Sequence, residues 1–158
     1  MKLERWEIIG VLSGAILILS LLFLTWFSLE QTPGRAQGED FICGAGDFDC
    51  TGFETFPILR WLLILGALAP LILTYILVRG HQLSWPPGEM TMLVGLIAFV
   101  LVAYNGILDR PGSGTEETAV ELAIGYWVAL LATIGIAVAG FLRSKESQPE
   151  VRKTPGTV

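Results

Sequence analysis

A chain of 158 residues that is 53% hydrophobic and only 16% charged departs from soluble domains, in which charged residues make up about 25%. A formal net charge of -5 and a mean hydropathy of +0.62 fit neither a nucleic-acid-binding surface nor an ordinary water-soluble fold. The charges are expelled into blocks, and four stretches, 8–29, 61–78, 90–108 and 122–142, contain no Asp, Glu, Lys or Arg. Each meets or approaches the ~20 residues that a helix rising ~1.5 Å per residue needs to cross a bilayer core of about 30 Å.

The first tract follows Lys2 and Arg5, as a signal peptide would. Its apolar run exceeds the ~7–15 residues of a signal core, and no A-x-A-like site follows Trp26. It therefore reads as a span over about 8–29, leaving the membrane through "LTWFSLEQTPGR". Gly10-x-x-x-Gly14 puts two small residues on one face, where helix backbones can approach closely.

The loop 30–56 holds "FICGAGDFDC", with Cys43 and Cys50 as the chain's two cysteines. A short Gly-containing connection permits ring closure, and an oxidising compartment allows it; an unstrained bridge would contribute roughly 2–3 kcal/mol. A structural disulfide is the expectation. A C-x-x-C redox pair is absent from the sequence, and two thiols fall short of a four-ligand zinc site. Calcium on Glu39, Asp40, Asp47 and Asp49 stays an alternative, because carboxylates are hard oxygen donors.

The second span, about 58–78, opens at Arg60 and carries Pro70 in "LGALAPLIL". Proline removes a backbone donor and frees the carbonyl of Gly66. A static bend is favoured over a transport hinge, since no matching break lies in the other spans. The loop "RGHQLSWPPGE" contains the single histidine, His81. The third span, about 90–108, has Asn105 toward its end, and the fourth, about 120–142, begins at Glu121. Gly125, Ala129, Thr133 and Ala137 form a small-residue row along it. These small faces are expected to pack within the bundle or to receive a partner chain. Residues 143–158 read as a disordered polar tail beyond a membrane domain of 1–142.

With four spans both termini share a side. That side would hold Lys2, Arg5, Arg79, Arg143, Lys145, Arg152 and Lys153, against Arg35, Arg60 and Arg110 on the other. Basic residues resist translocation, so the termini are expected in the cytoplasm. The opposite face is acidic: Glu30, Glu39, Asp40, Asp47, Asp49, Glu54, Asp109, Glu116, Glu117 and Glu121 fall there. Trp6, Trp26, Trp61, Trp85 and Trp127 lie near span ends, where membrane anchoring is the expectation. Arg60, Asn105 and Glu121 fall at similar depth. An Arg60–Glu121 ion pair joined by Asn105 is one reading of them, and Arg60 reaching lipid phosphates alone is the other.

"FLTWFSLE" and "GFETFPILRWLLIL", together with four spans in so short a chain, resemble short bacterial four-span membrane proteins of unassigned activity, over most of Trp6 to Arg143. That resemblance implies a bacterial inner-membrane location and supplies no catalytic residue. The first outer loop also resembles that of claudins, with Trp26, Cys43 and Cys50 in comparable order. The G-L-W triplet expected before the first cysteine is replaced by "GEDFI".

The sequence thus predicts an all-α, four-helix transmembrane bundle with cytoplasmic termini and a disulfide-stapled first outer loop. Catalytic residues, cofactors and metal ligands are not expected. The expected role is an accessory or scaffold subunit, packing in the bilayer against another membrane protein or a copy of itself. The competing role is a small transporter, channel or lipid-binding module built on the outer polar cluster.

Overall fold

Apolar tracts in lipid cannot be driven together by water, so helix contact falls to small residues at regular spacing. The computed structural model describes residues 5–29, 49–79, 86–109 and 120–147. It is mostly helical. The elements in chain order are α1 (Arg5–Phe23), β1 (Thr25–Leu29), β2 (Asp49–Thr51), a one-turn α2 (Gly52–Thr55), α3 (Leu59–Val78), α4 (Pro87–Ala103), a π-helical turn (Tyr104–Leu108), β3 (Val120–Leu122) and α5 (Ile124–Ser147). Four helices, α1, α3, α4 with its π turn, and α5, are long and apolar enough to cross a membrane, which marks a multi-pass membrane protein.

The helices form a closed ring, α1–α3–α4–α5, with α3 and α5 nearly diagonal. Glu7 meets Arg143 and Ser20 meets Gly125, so α1 and α5 run antiparallel. The starts of α1 and α4 and the ends of α3 and α5 share one end, called here the terminal end. The strands gather at the other, the sheet end.

Buried positions repeat every three or four residues. They are Gly10, Gly14, Leu17 and Leu21 on α1, Gly88, Thr91, Gly95, Ala98 and Val102 on α4, and Ala129, Ala132, Ile136, Ala139 and Arg143 on α5. That is the period near 3.5 of left-handed helix packing. Leu12, Ile16, Leu19, Leu93, Leu96, Val100 and Leu131 are exposed. Large apolar side chains outward and small ones inward invert the soluble pattern and suit a hydrocarbon solvent.

Gly10 and Gly14 lie inside the ring. A Cβ on Gly10 would rest 3.4 Å from the Cβ of Pro70, and one on Gly14 would collide with the Ala67 carbonyl. On α5, Ala129 and Thr133 are buried, while Ala137 packs its backbone under Gly95 of α4. The tightest seam, α4 against α5, uses Gly95 and Gly140, where any Cβ would strike the backbone of Ala137 or Met92. The small faces therefore hold this bundle together, rather than waiting for a second chain. α3 passes through Pro70 without a break, and Pro70 is buried.

Several expected boundaries move. The first helix ends at Phe23, because Thr25–Leu29 leaves it to become a strand, so the tract 8–29 is a helix plus a strand. The fourth begins at Ile124, after β3. Residues 143–147 belong to α5 and not to the tail. The expected all-α class is correct for the spans alone, since a three-stranded antiparallel sheet of order β2-β1-β3 caps them.

Enlarging Gly95 to Val should lower the thermal midpoint in mild detergent markedly, by an overpacking cost of about 1–3 kcal/mol. Leu96→Val, on the exposed face of the same helix, should leave it nearly unchanged.

Candidate functional site

The sheet end is built around β1. Thr25 pairs with Thr51 but Phe27 with Cys50, so Trp26 is the extra residue of a β-bulge. Alternation along a strand would send Trp26 and Phe27 to opposite faces. A bulge re-aims one of them, and both are buried, at 1% and 0% exposure. Headgroup anchoring, expected of Trp26, is therefore wrong. Its ring lies edge-on to Phe56 at 6.3 Å and to Tyr126 at 6.1 Å, and Phe27 meets Phe56 at 5.8 Å. Trp61 and Trp127 are about half exposed.

Polar atoms in this apolar knot have partners, as burial demands. Trp26 Nε1 donates to the Ser20 carbonyl at 3.1 Å and lies 3.2 Å from Ser20 Oγ, which itself donates to the Gly125 carbonyl at 2.6 Å. Tyr126 Oη donates to the Val102 carbonyl at 3.3 Å. Its ring lies against Gly106, where a Cβ would overlap it. Gly106 sits in the π turn.

At the rim, Thr51 and Glu54 form a capping box on α2. Glu54 N–H donates to Thr51 Oγ1 at 3.4 Å, and Thr51 N–H donates to Glu54 Oε2 at 3.2 Å. The T-x-x-E spacing was legible in the sequence. α2 places Phe53 beside α3, and Arg60 Nη1 donates to the Phe53 carbonyl at 3.2 Å. The guanidinium carbon lies 4.6 Å from the Phe53 ring centre and 5.6 Å from that of Trp61. Arg60 Nε is buried and has no acceptor among the described residues.

The expected polar cluster is not assembled. Asn105 Nδ2 donates at 2.9 Å to Leu101 of its own helix. Glu121 is exposed on β3, its register partner being Ser28. Among the described residues the one ion pair is elsewhere: Arg143 Nη2 donates to Glu7 Oε1 at 2.6 Å, with side chains only 9% and 12% exposed. This pair joins the first and last helices at the terminal end. It lines a cleft with room for about one water, some 10 Å³, against Trp6, Pro70 and Thr74. Thr74 Oγ1 there is buried without a partner among the described residues. The sequence reading had put Arg143 in a solvated tail, and 136 residues separate it from Glu7.

Cys50 is fully buried on β2. Cys43, Trp85, the calcium candidates Glu39, Asp40 and Asp47, and residues 148–158 of the tail lie outside the described residues. Among the described residues no three His, Cys, Asp or Glu side chains gather into a metal set. Protein-family models, characterised proteins and solved structures were each compared with the chain, and none matches it.

Removing Glu7 leaves the buried Arg143 guanidinium without its carboxylate, at a cost of about 3–5 kcal/mol, and removing Arg143 takes the same contact from Glu7. Glu7→Gln and Arg143→Met should therefore each lower the detergent melting temperature strongly. The double variant should recover most of the loss, and a double-mutant cycle with no coupling would show that the pair contributes nothing.

Proposed function

We propose that this protein is a non-enzymatic, multi-pass scaffold or accessory subunit that displays a rigid, acidic, sheet-capped end to a membrane-protein partner or to a second copy. The observation that carries this reading is the fastening of the sheet to the bundle. Trp26, Phe27, Phe56 and Tyr126 interlock across β1, the α2–α3 junction and α5, with the Ser20 hydroxyl bonded beneath them. A fastening of this kind holds a surface in fixed geometry and lowers the entropic cost of docking. The glycine and alanine faces are used inside the bundle, so the docking surface moves to this end.

The same reading places the sheet end outside the cytoplasm and the termini within it, in a bacterial inner membrane, following the bias of Lys and Arg. It also includes a Cys43–Cys50 disulfide. Cys50 sits opposite Phe27 on β2, and no free cysteine stands among the described residues.

Affinity purification of the full chain in mild detergent should yield a stoichiometric membrane partner or a homo-oligomer by mass. Charge reversal at Asp49 and Glu121, both exposed, should weaken that association. A monomer that conducts ions in liposomes sinks the proposal. Separately, reductant should lower the melting temperature by an amount equivalent to roughly 2–3 kcal/mol, and C43S/C50S should lose that sensitivity. An identical midpoint with and without reductant removes the bridge.

A further inference from the structure

We infer that Arg60 is a phosphate anchor for a phospholipid headgroup at the sheet end of the bundle. A guanidinium carries five N–H donors and never loses its charge. Among the described residues the side chain of Arg60 makes one hydrogen bond, from Nη1 to the Phe53 carbonyl, which leaves the Nη2 donors for a ligand, while the buried Nε has no acceptor. No carboxylate is paired with it among the described residues, although Glu54 lies only six residues earlier, on α2. That carboxylate is held instead by the backbone and hydroxyl of Thr51.

What holds the guanidinium in place is aromatic. Phe53 and Trp61 lie edge to face at 6.1 Å, and the cation sits against both rings. Cation–π contact fixes a charge without using its hydrogen-bond donors. A partly desolvated cation with unused donors is costly unless an anion completes it.

Position supplies the anion. Arg60 is the second residue of a helix of membrane-spanning length, hence at the lipid–water boundary, where phosphate esters are the abundant anions. Ile58 is 75% exposed and Trp61 is 56% exposed beside it, apolar surface for glycerol and acyl chains below the phosphate. Paired N–H groups of one guanidinium match a phosphate in a way that a lysine cannot. Arg79 provides the internal contrast. It also lies over a ring, Tyr75 at 5.1 Å, but at the opposite end and with no second aromatic wall among the described residues.

This inference rests on the helices crossing a bilayer and goes beyond the scaffold role. A lipid result of either sign leaves the partner experiment intact. The test uses the full chain in mild detergent, titrated with dioleoyl phosphatidylglycerol, with dioleoylglycerol lacking the phosphate, and with sodium phosphate. Thermal midpoint and native mass spectrometry are the readouts. The expected result is a retained phospholipid adduct with a raised midpoint, and no effect of dioleoylglycerol or sodium phosphate. Half-saturation should move about tenfold higher in Arg60→Gln, the size of a lost charge-assisted hydrogen bond, and stay unchanged in Arg79→Gln. Equal binding by Arg60→Gln, equal loss in Arg79→Gln, or equal stabilisation by dioleoylglycerol overturns the anchor. Stabilisation by sodium phosphate as large as by the phospholipid overturns the lipid as ligand. Should Arg60→Gln fail to fold, the comparison of phospholipid with dioleoylglycerol on the unmodified protein decides alone.

Discussion

The Ser20 hydroxyl, donating to the Gly125 carbonyl at 2.6 Å, is the contact on which the architecture turns. It lies where α1 ends and α5 begins, in an apolar interior where a hydroxyl without an acceptor is costly. The same residue accepts the indole N–H of Trp26. One small polar side chain thus ties together the last turn of the first span, the first turn of the fourth, and the strand between membrane and loop. Replacing it with a larger or purely apolar residue would remove the reference point for sheet and bundle at once.

Below that knot, packing obeys a different rule. Backbones touch at Gly14, Gly95 and Gly140, and contact between α4 and α5 is the most extensive in the bundle. Dispersion across such close seams replaces the solvent-driven collapse of soluble cores. The outward leucines and isoleucines need no protein partner, because lipid tails satisfy them. This is why so many large apolar side chains are exposed without marking an interaction site.

The two ends of the bundle treat their arginines differently. At the terminal end Arg143 is buried and neutralised by Glu7, a fixed clasp between the first and last helices. At the sheet end Arg60 is held by ring faces and a single carbonyl, with no carboxylate paired to it among the described residues. A clasp closes a structure, whereas an uncompensated cation at a membrane edge offers a contact. That asymmetry, together with the fastened sheet, is the reason the functional reading concentrates on the sheet end.

Four spans, their approximate limits and the small-residue character of their contacts were legible in the sequence, because charge exclusion over about 20 residues is set by bilayer thickness alone. Gly10, Gly14, Ala129 and Thr133 were read from the sequence and are buried, whereas Gly95 and Gly140, which make the tightest seam, were not. The row Gly125, Ala129, Thr133, Ala137 steps by four and drifts about 40° around the helix each time. The seam follows the three-and-four alternation of Ala129, Ala132, Ile136 and Ala139. The ends of spans 1 and 4 were misjudged for a related reason: "TWFSL" is as apolar as a helix end, and only pairing with two distant strands makes it a sheet. The partners of Arg60, Trp26 and Arg143 depend on side chains that folding brings to one place from different elements. Hydrophobicity along a chain records the solvent each segment meets; tertiary structure alone decides which neighbour shares it.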